Sequence, residues 1–279
     1  MLSRVTDDYE RMAMAGITAV LEPAFWLGQP RTSVGSFIDY FDSILGWERF
    51  RAESLGVRHY VTLALNPKEA NDDRVNQAVL DLLPRYLEKD GVVGVGEVGY
   101  DDLTPKEEHF FARQVELAAQ KNLPVLVHTP HRDKTRGVER TLALLREQKF
   151  PMERALIDHN NEETVPLCID SGCALGFSIY PDTKMDEARM VAILQKYGTD
   201  RMILNSACDW GRSDPLKVPK TALLMRRRGF SEAEIEKVVW HNPVRFFAQS
   251  GRLDLAELEK PVEPASQYQG NSILRGSPL

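Results

Sequence analysis

The sequence has few of the features that mark secreted proteins. Its 279 residues include only three cysteines, Cys168, Cys173 and Cys208, and these form no CxxC pair. An odd number of cysteines without a paired spacing does not suit a disulfide framework and is typical of a reducing cytosol. We therefore expect all three to act as small apolar side chains.

Long apolar runs and an excess of positive charge are also missing. The N-terminal stretch MLSRVTDDYERM has no apolar core of the kind found in signal peptides, and no run approaches the roughly 18 residues of a membrane span. A net charge of −6 argues against a protein that coats nucleic acid, although a local basic rim could still bind phosphates. We expect a cytoplasmic protein with no membrane contact.

Strand-like and helix-like segments alternate along most of the chain. This alternation predicts a parallel sheet with helices outside it, and the length suits a TIM (β/α)8 barrel. A closed barrel of this type has eight strands, yet the chain opens with a helix, so the first strand is apparently missing. The seven predicted strands are 17–25, 57–67, 92–101, 123–130, 154–160, 174–180 and 201–210.

One domain boundary and two helix starts complete the predicted organisation. We expect one barrel domain over 1–253 and a flexible, polar, proline-rich tail over 254–279. Thr104 and Glu107 have the spacing of a capping box, and Thr6 is expected to be the N-cap of the first helix.

Four of the predicted strands end in a residue that can bind a metal. In a parallel barrel all these ends open onto one face, so ligands far apart in sequence converge there. Histidine and carboxylate ligands with an open coordination position are typical of hydrolytic metal sites, where the ion activates water. The candidate ligands are Glu97, His128, His159 and Asp209.

A competing motif overlaps one of these strands. Gly94, Gly96 and Gly99 match the dinucleotide-binding pattern G-x-G-x-x-G, but Glu97 would place a negative charge in the phosphate cradle. The next helix also begins several residues too late. The glycines are better explained as allowing close backbone packing beside Glu97.

Basic side chains follow His128 in one loop. Together with cations on other strand-end loops they could form a rim for an anionic group, or they could be a solvated surface balanced by nearby aspartates. The candidate substrate-binding residues are His131, Arg132 and Arg212, and the other rim candidates are Arg31, Lys134, Arg136 and Lys184.

The same stretches resemble the TatD-like metal-dependent hydrolases of the amidohydrolase superfamily. Blocks typical of that family occur in order over residues 6–251: GEVGYD, PVLVHTPHR, LIDHN, SACDW and HNPVRFF. Within the family the chain is most similar to the divergent branch found in ebo gene clusters, through PAFWLGQPRT and HTPHRDK.

The resemblance implies an α/β barrel and one or two divalent ions, which could be zinc, magnesium or manganese. Glu97 would bridge two ions, His128 and His159 would complete one site, and Asp209 would bind the other ion and take a proton from the attacking water. The implied activity is hydrolysis of a phosphoester or amide-like bond, with a small-molecule or phosphoester substrate favoured over nucleic acid. Two alternatives stay open, a TatD-type deoxyribonuclease and an impaired barrel that binds a metabolite or partner without turnover.

One departure from the family pattern is large. The family begins with a strand that ends in His-x-His and supplies two more ligands, whereas this chain contains no His-x-His. Either the start is misplaced or truncated, which we favour, or the first metal site is lost. A barrel of seven strands would expose two unpaired strand edges, so we expect a poorly stable, aggregation-prone chain.

Overall fold

Seven parallel strands, hydrogen-bonded to one another in the order in which they occur in the chain, form a single sheet. The computed structural model describes residues 1–209 and 211–263. All seven predicted strands are confirmed, and within the described residues no strand pair joins the last strand to the first. The strands are β1 (Ala19–Pro23), β2 (Arg58–Leu63), β3 (Val92–Gly99), β4 (Val125–His128), β5 (Ala155–Ile157), β6 (Ala174–Ile179) and β7 (Met202–Ser206).

The sheet curls around a common interior, because one side chain from each strand contributes to one apolar cluster. Phe246, Phe247 and Leu253 close this cluster from below, and we call the whole set the barrel floor. The predicted fold class, a TIM-type α/β barrel with seven of its eight strands, is confirmed. The strand residues of the floor are Leu21, Tyr60, Val93, Leu126, Leu156, Ala174 and Ile203.

Helices connect the strands and cover the outside of the sheet, where the largest apolar cluster lies between the two layers. Two π-helical turns, Ile44–Glu48 and Lys237–His241, join helices into longer segments, and Met152–Arg154 is a 3-10 turn. The α-helices are α1 (Thr6–Met14), α2 (Val34–Ser43), α3 (Arg49–Glu53), α4 (Pro67–Ala70), α5 (Asn76–Tyr86), α6 (Pro105–Gln120), α7 (Lys134–Glu147), α8 (Val165–Cys168), α9 (Glu187–Tyr197), α10 (Lys217–Arg227), α11 (Glu232–Glu236), α12 (Asn242–Ala248) and α13 (Leu255–Leu258).

The two predicted helix starts have different outcomes. Thr104 and Glu107 form the predicted capping box at the start of α6. Thr6, in contrast, is the first helical residue, and the N-cap position belongs to Val5, which makes no side-chain capping bond. The prediction for Thr6 was therefore wrong by one residue, because the backbone turns into the helix earlier than the polar side chain indicated.

The segment before β1 lies across the open side of the sheet. The Arg4 guanidinium donates to the carbonyl and hydroxyl oxygens of Ser213, in the loop after β7. The backbone N–H of Leu2 donates to Glu22 of β1 over 2.9 Å. Met1, Tyr9 and Met12 form an apolar cluster with partly buried side chains that include Cys208 and Leu216. This segment thus contacts both edges of the sheet.

The chain beyond the barrel starts with structure rather than with a loose tail. Asp254 caps the short helix α13, and Leu258 is buried. Residues 264–279, which make up most of the predicted tail, lie outside the described residues. None of the described helices has both the length and the apolar character needed to cross a membrane.

Candidate metal centre

Three of the four predicted ligands meet at the carboxyl ends of their strands. Glu97 lies near the end of β3, His128 is the last residue of β4, and His159 follows β5. The Glu97 Oε1 atom is 3.4 Å from His159 Nε2 and 3.9 Å from His128 Nδ1. One ligand atom from each residue lies within 4.8 Å of the other two. We call these three residues the ligand triad.

The glycines around Glu97 explain how the triad comes together. A Cβ atom on Gly96 would lie 2.7 Å from the Cβ and 2.8 Å from the carbonyl oxygen of Leu126 in β4. At Gly99, a Cβ would collide with the carbonyl oxygen of His128. All three glycines of the G-x-G-x-x-G match lie inside β3. This placement contradicts a dinucleotide cradle, which needs them in a strand-to-helix turn, and confirms their role in close packing.

The chemistry of the triad fits a divalent metal ion. Both ring nitrogens of His128 are buried without a hydrogen-bond partner, although the residue is only 6% exposed. A buried polar atom without a partner costs free energy, and a metal ion bound to the ring would supply the partner that His128 lacks. Two imidazoles and one carboxylate form a donor set that suits zinc and similar ions.

Neighbouring polar groups orient two of the three ligands. The hydroxyl group of Ser178 lies 2.8 Å from His159 Nδ1, which leaves Nε2 directed at Glu97. The Asn66 amide donates to Glu97 Oε2 over 3.2 Å. Such outer contacts set ring orientation and ligand basicity in metal sites.

The protonation states of His159 and Glu97 also match those of metal ligands. Burial, followed by the charge of Lys184, lowers the pKa of His159 to about 4, so the ring is neutral at physiological pH. Burial alone would raise the pKa of Glu97, but the interaction of its carboxylate with the neighbouring His128 and His159 rings outweighs burial and holds that pKa well below the usual range. A neutral imidazole beside an ionised carboxylate is the form that binds metal.

Lys184 lies at the centre of the site rather than on its rim. Its Nζ atom is 3.2 Å from His159 Nε2. Burial lowers the pKa of Lys184, against the opposing charges of Asp158, Glu97 and Asp209. The sequence placed Lys184 only among the rim candidates, because nothing in the loop after β6 showed that its side chain turns inward.

Asp209 lies outside the ligand triad. Its Oδ1 atom accepts the backbone N–H of Gly211 over 2.9 Å, and its carboxylate is also hydrogen-bonded to the Tyr180 hydroxyl group. The negative charge of Asp209 also raises the pKa of Lys184, against the effect of burial. The structure therefore places Asp209 at the same barrel face without direct contact to the triad, and its role as a ligand and base stays a prediction.

The predicted substrate-binding residues have different surroundings. The His131 ring centre lies 6.2 Å from that of His128, and burial together with the charge of Lys184 lowers the His131 pKa to about 4. Arg132 is exposed and pairs with Asp102. Arg212 is exposed in the loop after β7. Arg31 is no part of a basic rim, because it is buried and paired with Glu69 over 2.7 Å.

A cavity of about 600 Å3 opens beside His159. It extends from Lys184 to the first turn of α7 and is large enough for a small organic molecule. Arg132 and Arg212 do not line it. The lining residues are His131, Asp133, Lys134, Thr135, Arg136, Glu139, His159, Asn160, Asn161, Glu163, Thr183 and Lys184.

Several polar residues around the triad were not predicted. Asp158 is buried; its Oδ1 accepts the backbone N–H of His159 over 2.7 Å and the Asn205 amide over 3.0 Å. Together with Ser178 and Asn66, these residues lie at strand ends next to the ligands. Polar residues within otherwise apolar strands were the available signal, and Asp158, immediately before His159, was the clearest example.

A second group of potential ligands, Glu22, Glu48 and His59, lies behind β1 and β2. Its oxygens are already paired: Glu22 with His59 Nε2 over 2.9 Å, and Glu48 with the Tyr9 hydroxyl over 2.9 Å and with Arg51. The carboxylates are thus neutralised by protein groups. This group is therefore a structural network of paired side chains.

Comparisons with known proteins agree with this geometry. The sequence model of a family described as TatD related DNase matches residues 11–248. Over 247 residues the chain is 29% identical to an uncharacterized metal-dependent hydrolase of Methanocaldococcus jannaschii, covering 88% of this chain and 95% of that protein. Over 158 residues it is 27% identical to the 3'-5' ssDNA/RNA exonuclease TatD of Pantoea ananatis, covering 52% of this chain and 56% of the exonuclease.

Solved structures share the fold. A TatD-like protein of Archaeoglobus fulgidus is similar with a TM-score of 0.73 and 24% identity, over 88% of this chain and 95% of that one. A phosphotriesterase homology protein of Escherichia coli is similar with a TM-score of 0.65 and 16% identity, over 88% and 90% of the two chains. Because the family match extends over residues 11–248, most of the chain, this protein belongs to the TatD family of metal-dependent hydrolases.

Proposed function

We propose that this chain is an active hydrolase in which Glu97, His128 and His159 hold a divalent ion, either zinc, magnesium or manganese. The observation that carries this proposal is the His128 ring, buried with both nitrogens unpartnered beside an ionised carboxylate. A bound ion of this kind lowers the pKa of water towards neutrality and polarises the bond to be cut. The bond would be a phosphoester or an amide-like bond.

The surrounding residues have supporting roles in this proposal. Ser178 and Asn66 hold the His159 ring and the Glu97 carboxylate in position. Asp209 would accept the proton of the attacking water, because its carboxylate is fixed by Gly211 and Tyr180 at the same barrel face. In the family pattern Asp209 would also bind a second ion, so the site would hold one or two.

A small molecule or compact phosphoester is the substrate that the site supports best. The cavity beside His159 suits a ligand of that size, with His131 at its edge, and Arg132 and Arg212 would contact groups that extend beyond it. The net charge of −6 gives no general attraction for nucleic acid. We place the chain in the ebo-cluster branch of the family on its sequence stretches alone.

A deoxyribonuclease is the second candidate, supported by the family description and by the likeness to the Pantoea exonuclease over about half of each chain. A panel that contains small phosphomonoesters, carboxylic esters, amides and single-stranded DNA would separate the two. Preferential turnover of DNA would favour the nuclease.

The proposal is tested by metal analysis of the purified protein and of two variants. His128→Asn should lose bound metal and metal-dependent hydrolysis, since one of three ligands is removed. His109→Asn is the matched control, because His109 is exposed on α6 with its ring against Phe110 and is no member of the ligand triad. It should keep both properties. A wild-type protein without bound metal and without metal-dependent activity on the panel would refute the proposal.

Asp209→Asn separates an enzyme from a barrel that only binds a metabolite or partner. In an enzyme, this variant should lose hydrolysis by at least ~100-fold, the usual contribution of a general base, while it still binds product or substrate analogue. The binding-only barrel would be favoured by a wild-type protein that binds one ion and shows no turnover, and whose ligand affinity is unchanged by Asp209→Asn.

A further inference from the structure

Two lysines at the inner end of the cavity have no carboxylate partner. Lys134 donates to the Thr129 hydroxyl over 2.8 Å and to the carbonyl oxygen of His159 over 2.9 Å. The Lys184 ammonium group is hydrogen-bonded to His159 Nε2 over 3.2 Å. Within the described residues neither ammonium group forms an ion pair, which is unusual for half-buried charges. Both therefore have donors left for a ligand, since an ammonium group carries three.

A metal ion bound to the ligand triad would displace the Lys184 ammonium group from its hydrogen bond with His159 Nε2. His159 Nδ1 is occupied by Ser178, so Nε2 is the nitrogen that the triad directs at Glu97. This nitrogen has a single lone pair. It can be shared with Lys184 or with a metal ion, but not with both. Among the described residues, the Lys184 ammonium group would then be left without a hydrogen-bonding partner.

The charges of the cavity are arranged by depth. Among the residues that line it, the three acidic ones, Asp133, Glu139 and Glu163, are exposed, whereas Lys134 and Lys184 are half-buried beside His159. Outside this lining, Glu97, Asp158 and Asp209 attract Lys184, but none of these three carboxylates forms an ion pair with it. Solvent screens the outer carboxylates more strongly than the inner lysines. The first turn of α7 adds backbone N–H groups at the same place, because Asp133 makes no side-chain capping bond.

We propose that Lys184 and Lys134 form a subsite for a terminal phosphate group, so that the substrate is a compact phosphomonoester rather than an internal phosphodiester. This inference rests on the proposed metal-dependent hydrolase function and names its substrate class. A terminal phosphate group is dianionic and has three free oxygens, so it can accept hydrogen bonds from the Lys134 and Lys184 ammonium groups at the same time. A diester has one charge fewer and two of its oxygens blocked, so it uses the subsite poorly.

The test measures binding rather than turnover. Inorganic phosphate and dimethyl phosphate are titrated calorimetrically into the Mn2+-loaded protein, and Mn2+ affinity is measured separately. Lys184→Met should weaken phosphate binding at least about tenfold, the loss expected for one charge-assisted hydrogen bond, and should change dimethyl phosphate binding much less. Its Mn2+ affinity should be equal or higher, because a competing cation has been removed.

Lys68→Met is the control, since Lys68 is an exposed lysine whose ammonium group Asp101 already neutralises over 2.7 Å. It should bind phosphate nearly as the wild type does, and Lys134→Met should behave like Lys184→Met. Unchanged phosphate affinity in a folded Lys184→Met protein with full Mn2+ content would overturn the subsite and leave the hydrolase proposal standing. A wild-type protein that binds no metal ion would overturn both.

Discussion

Arg31 and Arg132 differ sharply in burial and in the number of contacts that their side chains make. The Arg31 side chain is 6% exposed, pairs with Glu69, donates to the carbonyl oxygen of Phe25 and lies over the Tyr40 ring. Arg132 has an 80% exposed side chain and pairs only with Asp102. Burial raises the pKa of Glu69 despite the opposing charge of Arg31. Glu69 is therefore a buried acid that depends on its one cationic partner.

Replacement of Arg31 should be far more costly than replacement of Arg132. We expect Arg31→Met to lower the free energy of unfolding by roughly 3 kcal/mol, because it leaves an uncompensated buried carboxylate. Arg132→Met should lower it by less than about 1 kcal/mol, as is usual for exposed pairs. Urea unfolding of both variants measures this difference. Equal losses would contradict the structural role of Arg31, and Arg31→Met combined with Glu69→Leu should recover part of the loss.

Among single residues of the candidate metal centre, the positions of the three proposed ligands were predictable and those of their polar partners were not. Glu97, His128 and His159 each end an apolar run, and the geometry of a parallel sheet brings such ends together. The contact between Lys184 and His159 depends on the path of the loop after β6. No local pattern encodes that path, because it results from packing against distant residues.

Helix α6 is stabilised by a cap that the sequence predicts and by an ion pair with α7 that it does not. The capping box of α6 follows from the local spacing of Thr104 and Glu107, and it was predicted. The ion pair between α6 and α7 was not predicted, because it joins residues 32 positions apart. The Arg140 guanidinium donates to both carboxylate oxygens of Glu108 over 2.8 Å. Tyr100 adds a third hydrogen bond to Glu108 over 3.0 Å.

The α6–α7 contact should make stability depend on pH. The hydrogen bond from Arg140 is the main cause that lowers the pKa of Glu108 in the folded protein. The contribution of Glu108 is thus complete above its unfolded pKa and is lost as the pH falls through the lower, folded value. Since the Glu108 side chain is 41% exposed, we expect Glu108→Gln to lose at most about 1 kcal/mol at neutral pH.

Unfolding curves at a series of pH values test this expectation. The difference between wild type and Glu108→Gln should shrink between roughly pH 5 and pH 3, where the carboxylate becomes protonated. Glu116→Gln on the same helix is the control, because its pair with Arg113 is about half exposed, and it should change stability little at neutral pH. A Glu108→Gln difference that stays constant down to pH 3 would refute the role of the ion pair.

For the whole molecule, the barrel floor joins all seven strands to the C-terminal part of the chain. Phe246 and Phe247 of α12 close the floor, and Arg252 donates to the carbonyl oxygens of Leu87 and Val92. The metal centre lies at the opposite, carboxyl end of the strands. The residues of the barrel floor, which stabilise the fold, and those of the candidate metal centre thus lie at opposite ends of the barrel, as in other TIM barrels.

Loss of a floor side chain should therefore reduce stability without removing the metal site. We expect Phe246→Ala to lower the free energy of unfolding by about 3–5 kcal/mol through the cavity it leaves. Leu223→Ala, at a side chain that is 44% exposed, should change it by less than about 0.5 kcal/mol. Folded Phe246→Ala protein should keep its metal content per chain. Metal loss at a temperature where the variant is fully folded would contradict this separation.

The sequence by itself determined the seven strands, their parallel order and the meeting of the three proposed ligands at one end of the sheet. These follow from apolar runs, their spacing and the shared direction of parallel strand ends, all of which are local or set by the fold class. Only the tertiary structure decided that Arg31 is buried, that Asp209 is separate from the triad, and that Lys184 contacts His159. The physical reason is that side-chain partners across loops depend on long-range packing, which no neighbouring residue encodes.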